Sequence, residues 1–112
     1  MPTPITVKGK QIQYHGQRSV VGKKTTTVEM DDVYFSPSVL IGSPGQKLQV
    51  TVVNEGDIEH TFTIASQDVD VELGAGEKKQ VTVRFPSSGR TPWICRYHIS
   101  GGMAGILVAS GH

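Results

Sequence analysis

Lys47-Leu48-Gln49-Val50-Thr51-Val52 sets Leu48, Val50 and Val52 on one side of an extended chain and Lys47, Gln49 and Thr51 on the other. Side chains of a strand alternate between two faces, so the pattern predicts a half-buried β-strand. Gln80-Val81-Thr82-Val83-Arg84-Phe85 repeats it with Val81, Val83 and Phe85 inward, between Gly74-Ala75-Gly76 and Pro86-Ser87-Ser88-Gly89. Working outward from these two, further strands are predicted over residues 5–14, 25–30, 39–41, 61–64, 69–73, 91–95 and 105–109. Turn residues separate nearly all of them, and no amphipathic helical stretch of convincing length intervenes. The expectation is an all-β Greek-key β-sandwich of about seven or eight strands, with an N-terminal β extension that can form a hairpin.

The composition agrees, with 13 Gly, 6 Pro and frequent Val and Thr. At 112 residues the chain suits one domain with one modest core. Residues 1–25 read as the extension and 26–110 as the core of that domain. The net charge of +1 makes no case for nucleic acid or an anionic membrane as partner. Residues 1–30 hold Lys8, Lys10, Arg18, Lys23 and Lys24 against Glu29, a net +4, which leaves −3 on the remainder. Such asymmetry usually reflects solvated surfaces.

No run approaches the roughly 18 apolar residues that span a bilayer, so no stable membrane insertion of this segment is expected. The N-terminus lacks the apolar core of a signal peptide. A mature or excised domain working in the periplasm or another extracytoplasmic space is the expectation.

One cysteine excludes an internal disulfide, and alone it would read as a small buried hydrophobe. Its neighbours decide otherwise. Cys95-Arg96-Tyr97-His98-Ile99-Ser100-Gly101-Gly102-Met103 carries a thiolate, an imidazole and a thioether on one short loop before a final strand. Thiolate with thioether selects a soft or borderline metal, and two His with one Cys and a weak axial Met is the electron-transfer copper arrangement. Methionine is not among the usual ligands of zinc. The second histidine must come from elsewhere. His60 supplies it at the end of the polar turn Asn54-Glu55-Gly56-Asp57-Ile58-Glu59, 35 positions before Cys95. By parity His60 shares a face with Phe62 and Ile64, and Cys95 with Trp93, so both donors point inward at strand ends.

Residues 26–110 resemble a cupredoxin of the plastocyanin and pseudoazurin pattern, in which an Asn-rich turn runs into a ligand His and a Cys-x₂-His-x₄-Met loop follows. Residues 54–60 match the first motif, and Cys95, His98 and Met103 the second. The resemblance implies one copper ion cycling between Cu(I) and Cu(II), held equatorially by His60, Cys95 and His98 and axially by Met103. It also implies that His98 is the electron port, ringed by Gly101, Gly102, Ala104 and the Ile99 region, where redox partner proteins dock. Plastocyanins carry proline before the loop histidine. Tyr97 stands there, and its backbone N–H is a candidate donor to the Cys95 sulfur.

The extension resembles that of nitrosocyanin, a red copper protein that uses a carboxylate ligand and no axial Met. His60 and Met103 favour the blue site, and Glu59 points outward by parity. A copper-binding, delivery or storage module is the other reading of the same donors. The chain is expected not to be an enzyme. Asp57 and Glu59 read as solvated turn acids, a single Cys argues against a dinuclear copper site, and the absence of a second His-rich cluster argues against a multicopper oxidase.

Met30 reads as a gap-filler, Trp93 as core, and Gly101 and Gly102 as residues that let the loop fold tightly. Ile5, Val7, Ile12, Tyr14, Val20 and Val21 make the extension too apolar for a free tail. It is expected to be ordered as a strand pair or as a homo-oligomer contact, its positive charge facing the acidic remainder. His15 and His112 carry no assigned role.

Overall fold

The computed structural model describes residues 6–7 and 9–109. Its strands are β1 (Thr6–Val7), β2 (Lys10–Gln11), β3 (Gln17–Ser19), β4 (Thr25–Asp31), β5 (Tyr34–Ser36), β6 (Val39–Gly42), β7 (Lys47–Asn54), β8 (His60–Ile64), β9 (Val69–Leu73), β10 (Lys78–Arg84), β11 (Arg90–Ile94) and β12 (Ala104–Ala109). Among the described residues the helical pieces are two single 3₁₀ turns, Ala65–Gln67 and Ile99–Gly101. Twelve strands exceed the seven or eight expected from sequence because β1, β2, β3 and β5 are pieces of two or three residues. Alternation over so few positions leaves no signal to read.

Two main sheets form a sandwich, one in the order β10-β7-β4-β5 and the other β3-β6-β12-β11-β8-β9, beside a two-stranded β1-β2 hairpin. The chain crosses between the main sheets from β7 to β8, returns from β9 to β10, and crosses again to β11. That alternation makes the fold a Greek-key sandwich. Pairings of β4 with β7, and of β6 with both β3 and β12, are parallel.

The predicted parity holds. Leu48, Val50 and Val52 of β7, Val28 and Met30 of β4 and Val83 of β10 meet Leu40, Phe62, Ile64, Leu73, Trp93 and Leu107 from the facing sheet. Trp93 stacks on Phe62 at 5.4 Å and meets Phe35 edge-on at 5.8 Å. These rings share their buried cluster with Cys95, two residues after Trp93. Among the described residues the indole N–H of Trp93 has no hydrogen-bond partner, a cost of about 1–3 kcal/mol that the ring packing offsets.

The outer face of the six-stranded sheet carries the opposite parity, and the N-terminal extension covers it. Val7 and Ile12 pack with Val39, Ala104 and Ile106 in a second apolar cluster. Val20 joins the main core, whereas Tyr14 and Val21 are exposed and Ile5 lies outside the described residues. Instead of one strand over residues 5–14, β1 and β2 form a hairpin in register Thr6↔Gln11 and Val7↔Lys10, turning at Gly9 with φ +79°. The remainder is tied by hydrogen bonds. The Gln13 amide donates to the Gly102 carbonyl at 2.9 Å, and the His15 amide to Ser38 Oγ at 2.7 Å. Among the described residues no ion pair joins the extension to the acidic remainder, so its net charge does not hold it in place. Burial does, and Val7, Ile12 and Val20 are covered without a second copy of the chain.

Replacing Ile12 with alanine is therefore expected to lower unfolding free energy by about 2–4 kcal/mol in chemical denaturation. An unchanged midpoint would show that the extension contributes nothing to stability.

Candidate metal centre

Asn54 closes β7 and fixes where β8 begins. Its buried side-chain amide donates to the Ile58 carbonyl at 2.8 Å and the Leu73 carbonyl at 3.0 Å, while its Oδ1 accepts the Gly56 N–H at 2.9 Å. This Asx-type turn compresses residues 54–60 and delivers His60 as the first, fully buried residue of β8. Cys95 arrives from the neighbouring strand, directly after β11.

The loop that follows closes on itself. Cys95 N–H donates to the Met103 carbonyl at 3.0 Å, Met103 N–H to the His98 carbonyl at 3.2 Å, and His98 N–H to the Cys95 carbonyl at 3.2 Å. Gly102 is buried in the left-handed region at φ +87°, and a Cβ there would collide with the Gln11 carbonyl. Glycine is thus required at 102, whereas nothing crowds a side chain at Gly101. The loop is also pinned sideways, since Arg96 N–H donates to Thr61 Oγ1 at 2.8 Å and its guanidinium pairs with Asp70 at 2.9 Å. The Tyr97 hydroxyl donates to Glu72, an acceptor that holds the phenol above its ordinary range.

These elements bring three donors together. Cys95 Sγ lies 3.8 Å from His60 Nδ1 and 3.4 Å from His98 Nδ1, and the three donor atoms all lie within 4.8 Å of one another. Metal bonds of roughly 2.0–2.3 Å, spread trigonally, place their donors about 3.5–3.8 Å apart, so the spacing suits one ion. The fourth expected donor, Met103, is fully buried in the same cluster as Cys95 and abuts β12. Two imidazoles, a thiolate and a thioether make a soft set that fits one copper ion. His98 is half-buried, and burial, with the neighbouring His60 adding to it, pushes its ring below the usual imidazole range toward the neutral form a metal ligand requires.

The sulfur has a backbone donor, but a different one from that expected. Thr61 N–H reaches Cys95 Sγ at 3.4 Å, whereas the Tyr97 amide makes no such bond. Tyr97 opens the loop turn, and the strand carrying His60 lies closer to the sulfur. Glu59 is exposed and outside the donor group, which contains no carboxylate. The expected ring around His98 is altered as well. Gly102 and Ala104 are buried, Gly102 directly under the Gln11 and Gln13 backbone, so the exposed apolar side chains of the two donor loops are Tyr97 and Ile58.

Sequence reasoning missed Asp32, in the turn between β4 and β5. Its Oδ1 accepts a hydrogen bond from His60 Nε2 at 2.8 Å, and its Oδ2 accepts the Asp57 N–H at 2.9 Å. The Asp57 amide first, then His60, holds the carboxyl below the usual carboxylate range. Nothing in the sequence spacing links Asp32 to a histidine 28 residues away.

The chain belongs to the cupredoxin-like domain family, whose model matches residues 11–109. No curated protein sequence matches it. Among solved structures it is similar to the reduced auracyanin of the photosynthetic bacterium Roseiflexus castenholzii, with TM-score 0.64, 16% identity, and 79% of this chain and 98% of that one covered. Auracyanin B gives TM-score 0.64 at 21% identity over 78% of this chain and 88% of that one. The metal-binding domain of the Cu(I)-exporting P-type ATPase of Streptococcus pneumoniae D39, solved with Cu(I), gives 0.65 at 11% identity over 88% and 97%. At these identities the likeness is one of fold.

Removing the Asn54 amide leaves two carbonyls and one N–H without partners. Asn54→Ala is expected to cost about 2–4 kcal/mol in denaturation and to weaken metal uptake, because the entry to β8 loosens. Full stability and uptake in that variant would remove the turn from the account.

Proposed function

We propose that the chain is an electron carrier, an all-β cupredoxin that exchanges single electrons through one copper ion at a type 1 site. The observation that carries this reading is the near-equal approach of His60 Nδ1 and His98 Nδ1 to the buried Cys95 sulfur. When bound, copper supplies one-electron exchange between Cu(II) and Cu(I). The residues supply a fixed geometry: Cys95 the strongest equatorial bond, His60 and His98 the other two, Met103 a weak axial contact. Donors held by two strands and a self-closed loop change little between oxidation states, which is what rapid outer-sphere transfer requires.

His98, half-buried at the loop surface, is the port for the electron in this reading, with redox partners docking beside it over Tyr97 and Ile58. A small apolar contact suits a brief encounter. We read the chain as a carrier rather than an enzyme, working in the periplasm or another extracytoplasmic space. No helix of the described residues is long and apolar enough to cross a membrane.

Copper titration should saturate at one ion, give an intensely coloured Cu(II) form, and show a reversible couple by voltammetry. Cys95→Ser should abolish the colour, whereas Met103→Leu should retain copper with a shifted potential. A chain that binds copper without a reversible couple would instead be a delivery or storage module. Loss of copper in Met103→Leu as complete as in Cys95→Ser would refute the axial assignment.

A further inference from the structure

We infer that Asp32 is a positioning residue for the metal centre: its carboxylate, bonded to the outer nitrogen of His60, orients the ring, fixes its tautomer and favours the higher oxidation state of the bound ion. The inference rests on the copper reading for its redox part only.

The argument begins with the two ring nitrogens. His60 Nδ1 faces Cys95 Sγ, and Nε2, on the far side of the ring, meets Asp32 Oδ1 at 2.8 Å. A carboxylate can only accept, so the proton sits on Nε2 and the lone pair of Nδ1 is left facing the sulfur. Asp32 is itself held in place, because its second oxygen accepts the Asp57 N–H from the turn that leads into His60. The carboxylate therefore spans the β4–β5 turn and the 54–60 turn. Gly56 shows how closely they meet: it lies outside the left-handed region, yet a Cβ on it would collide with Asp32 Oδ1.

His60 is fully buried, while the Asp32 side chain keeps about a third of its exposure, 34%. The site thus has a fixed negative charge at its edge that enters through one ligand. Hydrogen bonding to a carboxylate raises the basicity of a ligand imidazole, and a nearby negative charge stabilises a doubly charged ion more than a singly charged one. Both effects act in the same direction, lowering the reduction potential. Thr61 N–H, which bonds the sulfur, acts in the opposite direction.

The test uses the full chain as Asp32→Asn and Gly56→Ala, two variants that reach the contact differently. The first removes the charge and keeps a polar side chain of the same size. The second keeps the charge and displaces it from His60. In the copper-free wild type, ring-nitrogen NMR should show His60 protonated at Nε2, and that tautomer should lose its dominance in Gly56→Ala. In the copper-loaded forms both variants should shift preference toward Cu(I) by roughly tenfold, a rise of about 59 mV for a one-electron couple. Glu29→Gln, which removes an exposed carboxylate of β4 that holds neither donor loop, should leave the potential within a small fraction of that. A wild-type His60 protonated at Nδ1, or a potential that does not rise in whichever variant folds, overturns the inference. A wild type that shows the Nε2 tautomer but no reversible copper couple would refute the electron-carrier reading and leave the positioning of His60 by Asp32 intact.

Discussion

Everything at the metal centre depends on bringing a buried sulfur within reach of two imidazoles that arrive from different parts of the chain. Cys95 and His98 share a loop, but His60 is 35 residues away and reaches the sulfur at 3.8 Å only because β8 lies beside β11 in one sheet. The sandwich is therefore the device that sets the donor spacing. Trp93, Phe35 and Phe62 pack against one another in the same buried cluster as Cys95. Backbone bonds between Cys95, His98 and Met103 keep the loop from opening outward.

The N-terminal extension is part of the same constraint. It covers the apolar outer face of the six-stranded sheet, and its Gln13 bonds both carbonyls of the Gly101-Gly102 pair, one through its backbone and one through its side chain. The donor loop is thus anchored through Cys95 in the buried cluster and held from its flank by the extension. On the other flank Arg96 and Tyr97 attach it to Asp70 and Glu72 of β9. In the electron-carrier reading, a loop restrained on three sides would keep its donors in place when charge changes at their centre, so that little energy goes into rearrangement.

The alternation of residues 47–52 and 80–85 was sufficient to place β7 and β10 in a sandwich, because each has one buried and one solvated face. The inward placement of His60 and Cys95 was legible for the same reason, together with the fixed spacing from Cys95 to Met103. What escaped lay in contacts between turns. Asp32 approaches His60 across two loops, the donor to the Cys95 sulfur is a backbone amide of the neighbouring strand, and Gly102 is covered by a segment some 90 residues earlier. None of these leaves a period or a motif in the sequence, since each is set by tertiary packing. The hairpin expected of the extension forms, but β1 and β2 are two residues each, too short for alternation to mark their bounds within residues 5–14.

The central claim is that the chain holds one coordination geometry for both oxidation states. X-ray absorption at the copper edge of the Cu(II) and Cu(I) forms tests it most directly. The account predicts one sulfur and two nitrogen neighbours in both spectra, with only slight lengthening of the bonds on reduction. Loss of a nitrogen neighbour on reduction, or a spectrum without the short sulfur contact in either state, would contradict it.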